Sequence, residues 1–121
     1  MATNSSNASQ SARLSADHDQ VSGIRVVSLS GELDADSAEE LRRAVRPDQA
    51  GPSWTVLDLS AVTFMDSSAV NVLVAARRDV TAGGGWIRLA APTDAVLRVI
   101  EIVGLDTIFE CFPTRDEALH P

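Results

Sequence analysis

The feature that most constrains the fold of this chain is an alternation of short apolar segments with longer amphipathic ones. The apolar segments Ile24 to Leu29, Trp54 to Leu59 and Trp86 to Ala90 have the composition and length of buried β-strands. Between them, apolar residues recur three and four positions apart, as in Leu41 and Val45, a spacing that is typical of amphipathic helices. This alternation predicts an α/β domain.

Two further strands complete the predicted order β-β-α-β-α-β-α-β-α. One begins at Arg13, is broken by the polar stretch Asp17 to Gly23, and forms a hairpin with Ile24 to Leu29. The other is predicted at Ile108 to Phe112. An opening hairpin followed by alternating strands and helices predicts a mixed, mostly parallel sheet faced by helices.

Capping residues, glycines and prolines mark the predicted helix ends. Ser37 and Glu40 have the spacing of a capping box before the first helix, which ends ahead of Pro47. Asp66 and Ser67 offer N-cap chemistry for the second helix. The remaining boundaries follow the same rules: Gly83 to Gly85 ends the second helix, Pro92 and Thr93 open the third, Gly104 ends it, and Thr114 with Glu117 caps the last.

The length of 121 residues, 45% of them hydrophobic, suits one domain with a substantial core. Residues 1–12 contain four serines and two asparagines and too few large apolar side chains to offset the entropy cost of ordering. We therefore expect a disordered tail over residues 1–12 and a single domain over residues 13–121.

The charge balance argues against nucleic acid and membrane surfaces as direct partners. Ten arginines, with no lysine, stand against 17 acidic residues and give a net charge of −7, which repels phosphate backbones and anionic lipids. The longest apolar run, Ala69 to Ala76, is interrupted by Asn71 and is far shorter than the roughly 18 residues of a membrane span. We expect a cytoplasmic protein.

The cysteine and histidine content argues against a metal or cofactor. Cys111 is the one cysteine, so an internal disulfide is excluded, and we expect it to be a buried or half-buried thiol. His18 and His120 lie near opposite ends of the chain and form no Cys/His cluster for zinc. The stretch Asp17-His18-Asp19 is compatible with a metal site but equally with a polar turn.

The serines at the predicted strand-to-helix turn do not belong to a catalytic motif. Ser67 and Ser68 are preceded by Phe64-Met65-Asp66, which lacks the G-x-S-x-G pattern, and no histidine lies close in sequence. Gly83 to Gly85 follows a helix and precedes a strand, the wrong side for a phosphate-binding loop. These observations predict a protein that is not an enzyme.

Asp58 invites a comparison with response-regulator receiver domains, whose acceptor aspartate stands at the end of a central strand. Such domains also require a lysine, and this chain has none. The favoured interpretation of Asp58 is a carboxylate that accepts main-chain N–H bonds in the turn that follows.

Three sequence elements resemble the STAS family, and among its members the bacterial anti-sigma factor antagonists. They are Gly31-Glu32-Leu33-Asp34, then Leu57-Asp58-Leu59-Ser60 with Phe64-Met65-Asp66-Ser67-Ser68, and finally Arg98-Val99-Ile100-Glu101 with Gly104-Leu105-Asp106. The resemblance extends from about Arg13 to Leu119 in the order and spacing of the family.

The resemblance implies a partner-switching role in bacterial transcription regulation and stress response. Such an antagonist binds an anti-sigma factor that is a serine/threonine kinase and releases the sigma factor. The kinase switches it off by phosphorylating the serine after the aspartate, which here is Ser67, and a serine phosphatase restores the free hydroxyl. The implied partner-binding residues are Asp34, Met65, Asp66, Ser68 and Ala69; a weak homodimer is a further expectation.

Each implied residue also has an ordinary structural interpretation. Ser67 and Ser68 can serve as helix caps, Asp34 as a cap or turn residue before the first helix, and Met65 as a core side chain. Where the family usually has glycines, this chain has Ala69 and Asn71. The alternative function is therefore a STAS interaction or scaffold module of a larger regulatory or transport assembly that is never phosphorylated.

Overall fold

Five strands form one sheet in the order β1-β2-β3-β4-β5, in a computed structural model that describes residues 14–47 and 51–121. The strands are β1 (Leu14–Val21), β2 (Ile24–Leu33), β3 (Trp54–Met65), β4 (Trp86–Ala90) and β5 (Glu110–Phe112). The helices are α1 (Ala38–Val45), α2 (Ser67–Ala82), α3 (Asp94–Val103) and α4 (Arg115–Leu119).

The predicted α/β class, element order and mixed sheet are confirmed. β1 pairs antiparallel with β2, and the other neighbouring strands are parallel. Each parallel pair is joined by a helical crossover. Because β2, β3 and β4 run in the same direction, their carboxyl ends lie along one edge of the sheet. The predicted tail, residues 1–12, lies outside the described residues.

The predicted boundaries were wrong at four strands and one cap. β2 runs to Leu33 instead of ending at Leu29. Asp17 to Val21 belongs to β1, because the hairpin needs only Ser22 and Gly23, both at positive φ, for a tight turn. β3 runs to Met65 instead of ending at Leu59, and β5 begins at Glu110 instead of Ile108. A capping box joins Asp34 to Ser37 instead of Ser37 to Glu40, because a 3₁₀ turn precedes α1.

The main core lies between one face of the sheet and helices α1, α2 and α3. Leu57 of β3 alternates with Val56, so these two side chains point to opposite faces. Leu57 packs in the main core, and Val56 packs with Ala90 and Ala118 in a small second cluster beneath α4. The main core contains these fully buried leucines and isoleucine among others: Leu29, Leu33, Leu41, Leu59, Leu73, Leu89 and Ile100.

Arg25 in β2 fixes the carboxyl end of α1 against the sheet. Its guanidinium donates to the carbonyl oxygens of Ala44, Val45 and Arg46 at 3.5, 2.9 and 3.0 Å, and to the hydroxyl of Thr55 at 3.4 Å. These carbonyls lack partners within the helix, and a cation at this end is favoured by the helix dipole. Arg25 therefore acts as a buried C-terminal cap from another element.

Within the described part of the chain, no helix is both long and apolar enough to cross a membrane.

Candidate functional site

The carboxyl ends of β2 and β3 bring two acidic loops together. Leu33 pairs with Met65 in the parallel register, and the main-chain N–H of Asp66 donates to the carbonyl oxygen of Leu33 at 3.0 Å. Asp34 and Asp66 directly follow these two strands, so each begins the segment that leads into a helix. The sheet itself therefore sets these two loops side by side.

Asp66 caps α2, and Ser67 is the first helical residue. One carboxylate oxygen of Asp66, Oδ1, accepts from the main-chain N–H groups of Ser68 and Ala69 at 2.9 and 3.4 Å. Ser67 is exposed, and its hydroxyl makes no hydrogen bond to other residues of the described ranges. Ser67 is consequently not the helix cap, which removes its ordinary structural interpretation and leaves its hydroxyl accessible.

Asp34 is held just as firmly on the neighbouring strand end. Its Oδ1 accepts from the main-chain N–H groups of Asp36 and Ser37 at 3.0 and 3.1 Å, while the hydroxyl of Ser37 donates to the carbonyl oxygen of Glu32 at 2.7 Å. Ser37 is fully buried. The cap interpretation of Asp34 is confirmed, and its carboxylate is fixed at the carboxyl end of β2.

Two predicted partner-binding residues lie in the core instead of at the surface. Met65 is 3% exposed and Ala69 is fully buried, because both side chains point into the space between the sheet and α2. Neither side chain reaches the surface, which for Met65 is the core position that the sequence also allowed. Phe64, which points the other way in β3, is 47% exposed and supplies the apolar surface at this edge. The sequence signal for the exposure of Phe64 was its position directly before Met65, because adjacent residues of a strand point to opposite faces.

Acidic residues are concentrated in the two loops at this edge of the sheet. Asp66 directly precedes Ser67, Asp34 follows the neighbouring strand end, and the exposed residues Glu32 and Asp36 lie two positions before and after Asp34. Ser68 is partly exposed on the first turn of α2. Added negative charge on Ser67 would thus stand among carboxylates, and the two helix N–H groups nearest to it are already taken by Asp66.

No three His, Cys, Asp or Glu side chains of residues 14–47 and 51–121 cluster in a way that could hold a metal ion. The stretch Asp17-His18-Asp19 is neither a turn nor a cluster. It lies in β1, where His18 points to the opposite face from its two neighbours.

Asp58 lies away from this edge and carries a structural ion pair. Its Oδ2 accepts from Nε and Nη2 of Arg115 at 2.9 and 2.7 Å, and Oδ1 accepts from the N–H of Ser60 at 2.9 Å. The N–H contact was predicted, but at a β-bulge instead of a turn. Burial raises the pKa of Asp58, and the hydrogen bonds from Ser60 and Arg115 outweigh it, so the pKa is lowered.

The sequence did not reveal the partners of the two buried charges. Arg115 also donates to the hydroxyl of Ser28 at 2.7 Å, which ties α4 to β2 and β3. The signal was present, since Arg25 and Asp58 are charged residues inside otherwise apolar strands. Their partners are distant in sequence and become visible only in the fold.

A comparison with known protein families identifies the family of this chain. The STAS domain model matches residues 15–118, which include both acidic loops and the whole sheet except its first residue. The chain belongs to the STAS domain family. The family resemblance inferred from the sequence is thereby confirmed.

Relatives of this STAS chain are anti-sigma factor antagonists by name. It is 34% identical over 107 residues to the anti-sigma-F factor antagonist RsfB of Mycobacterium tuberculosis, covering 86% of this chain and 83% of the relative. An anti-sigma factor antagonist from Mycobacterium paratuberculosis, known from its crystal structure, superposes with a TM-score of 0.75 at 32% identity, covering 88% and 91% of the two chains.

The Bacillus cell fate determinant SpoIIAA in its phosphorylated form superposes with a TM-score of 0.63 at 25% identity, covering 87% of this STAS chain and 96% of that one. SpoIIAA is thus a structural relative that exists in a phosphorylated form. None of these three names describes an enzyme.

Proposed function

We propose that this STAS protein is an anti-sigma factor antagonist that binds an anti-sigma serine/threonine kinase and thereby frees a sigma factor. The observation that carries the proposal is Ser67, an exposed hydroxyl on the first residue of α2 that is set beside Asp34 by the pairing of β2 with β3. The relatives named above support the general role.

Phosphorylation of Ser67 is the proposed off-switch. The Ser67 hydroxyl is unbonded within the described residues, so a kinase can modify it without breaking a structural hydrogen bond. A phosphate adds a charge of about −1.5 to −2. At a separation of about 6 Å and an effective dielectric of about 20, the repulsion between one unit of that charge and a nearby carboxylate is about 3 kcal/mol before screening. After screening, even half of this repulsion energy corresponds to about tenfold weaker binding of the kinase.

Because Met65 and Ala69 are buried, other side chains form the contact surface of the proposed site. Neither side chain touches the partner in this proposal; both support the turn from the core side, while Asp34, Asp66, Ser67, Ser68 and Phe64 form the contact surface. Ala69 replaces a family glycine without reaching the surface, so its methyl group does not obstruct a kinase. A serine phosphatase that acts on phospho-Ser67 completes the proposed cycle.

Mass spectrometry of the protein from its native cells, with and without stress, is the first test. Phosphate confined to Ser67, with an occupancy that changes with conditions, is the expected result. Ser68→Ala is the matched control, since it removes the neighbouring hydroxyl and leaves Ser67 in place. Absence of phosphate in every condition would contradict the switch and favour the alternative of a scaffold module.

Binding to the kinase tests the antagonist role separately. Ser67→Ala should bind the kinase and resist phosphorylation, and Ser67→Glu should bind about tenfold more weakly with an unchanged melting temperature. If Ser67→Glu binds as tightly as the wild type, the charge switch is wrong even if Ser67 is phosphorylated in cells.

A further inference from the structure

A second surface, remote from Ser67, lies along the outer edge of β5. An open groove of about 600 Å³ runs between α3 and this strand. We call it the β5 groove; its lining residues are Leu97, Glu101, Asp106, Thr107 and residues 108–112. It shares no residue with the Ser67 site, from which it is separated by β4, so nothing below depends on the proposed function.

Exposed apolar side chains lie in the segment of chain that leads from the end of α3 to β5, and Ile108 of this segment lines the groove itself. Among the described residues, five large hydrophobic side chains are exposed, and Ile102, Val103 and Ile108 are three of them. Ile102 is 77% exposed, whereas Val96 and Ile100 of the same helix are fully buried in the core. Clustered exposed apolar surface on a small domain marks an interaction site more often than scattered single residues do.

The acidic lining of the groove favours a basic partner. Of its described lining residues, Glu101, Asp106 and Glu110 are acidic and none is basic. Glu110 is shared with Arg88, which donates to it at 3.1 Å from the neighbouring strand, while Glu101 and Asp106 are exposed. A second copy of the same surface would bring acid against acid, so the complementary partner is a basic one.

The backbone at the groove selects the conformation of the occupant. Among residues 14–47 and 51–121, β5 pairs with β4 on one side only and is the last strand of the sheet. The outer edge of such a strand presents main-chain donors and acceptors that an extended segment can pair with. We propose that the β5 groove binds an extended segment of a partner protein, added as a sixth strand, whose apolar side chains alternate with lysine or arginine.

The sole cysteine provides a direct readout, because Cys111 lies in β5 and lines the groove. It is half-buried, and burial together with the Asp106 carboxylate raises the pKa of its thiol, so alkylation by iodoacetamide is slow enough to follow. The probe is an acetylated peptide of sequence Lys-Val-Arg-Ile-Lys-Val, added to the full chain while intact mass records alkylation. Two control peptides replace the basic residues by glutamate or the central isoleucine by proline.

The basic peptide should slow the alkylation of Cys111 and shift backbone NMR signals of residues 108–112, with weaker binding as salt is raised. Glu101→Lys with Asp106→Lys should weaken this binding about tenfold. Asp17→Lys with Asp19→Lys makes the same change in net charge on β1, at the opposite sheet edge, and should leave binding unchanged.

Several results would overturn the proposal, and those from the peptides do not depend on whether a variant folds. Equal protection by the glutamate peptide would remove the charge argument, and equal protection by the proline peptide would remove strand addition. Signal shifts at Asp66 and Ser67 instead of β5 would place the peptide elsewhere. A peptide-independent dimer that protects Cys111 would identify the occupant as a second copy of this chain.

Discussion

The main-chain N–H of Asp66 donates to the carbonyl oxygen of Leu33 at 3.0 Å, which extends the β2–β3 ladder by one bond beyond the last paired residues. This bond joins the two acidic loops directly. It follows that the position of Ser67 relative to Asp34 is set by sheet register instead of by loop conformation, and changes at either aspartate should report on the same site.

Asp66 has separable roles as a helix cap and as a charge. Asp66→Ala removes both and should lower the free energy of unfolding by about 1 kcal/mol, because the N–H groups of Ser68 and Ala69 lose their acceptor. Asp66→Ser retains a capping oxygen and should recover most of that loss in urea titrations. Equal destabilisation by the two variants would show that charge and not capping is the source of the stability.

Arg25 should be among the most sensitive positions outside the hydrophobic core. Arg25→Met fills similar volume but leaves the carbonyl oxygens at the end of α1 buried without donors, which costs about 2 to 3 kcal/mol or more in urea unfolding. Arg43→Met, at an exposed position of the same helix, is the matched control and should change stability by less than about 0.5 kcal/mol. Similar losses in both variants would rule out the capping role of Arg25.

Asp58 should make the stability of the protein depend on pH in the acid range. Its pKa is lowered in the folded state, so its contribution is fully present above its unfolded value of about 4 and is lost as pH falls through the lower folded value. The stability difference between wild type and Asp58→Asn, measured by urea unfolding, should therefore shrink as pH is lowered below about 4. Asp19→Asn, at an exposed site on β1, is the control. A difference that stays constant down to the lowest pH at which the protein folds would contradict this role.

Two glycines should respond to alanine substitution for different reasons. At Gly23 an added methyl group meets nothing within 4 Å, so Gly23→Ala should cost only about 1 kcal/mol, from its positive φ in the hairpin turn. At Gly85 the methyl carbon would lie 1.8 Å from the main-chain oxygen of Ser53. Gly85→Ala should therefore destabilise more than Gly23→Ala in thermal unfolding. The reverse order would mean that the backbone at Ser53 yields easily.

Local patterns were sufficient to predict the element order, the parallel sheet and most helix ends. Thr93 and Thr114 cap their helices, and Gly104 adopts the left-handed conformation, as their positions in the sequence indicated. These signals act within a few residues, so they can be detected without knowledge of the fold. Strand ends were less predictable, because pairing with a neighbour extends a strand through residues of weak propensity such as Ser60 and Ala61.

The candidate site was predicted in part. The residues Asp34, Asp66 and Ser67 were identified from their motif, and a core position was one of two interpretations of Met65, whereas the surface position of Phe64 was not predicted. Whether a side chain at a strand end points to solvent or core depends on strand parity and on where the next helix packs. Both follow from the extension of β3 to Met65, which the apolar pattern did not indicate.

Local patterns in the chain specified which segments form strands and helices and in what order, because apolar periodicity and capping chemistry act over short distances. It also determined which residue types stand at the turn before α2. The packing of the sheet and helices established which turns are neighbours, which hydroxyl is left unbonded, and which carbonyl oxygens accept from Arg25. Those outcomes depend on contacts between residues far apart in the chain, such as Leu33 with Asp66 and Asp58 with Arg115, and such contacts exist only once the sheet register is set.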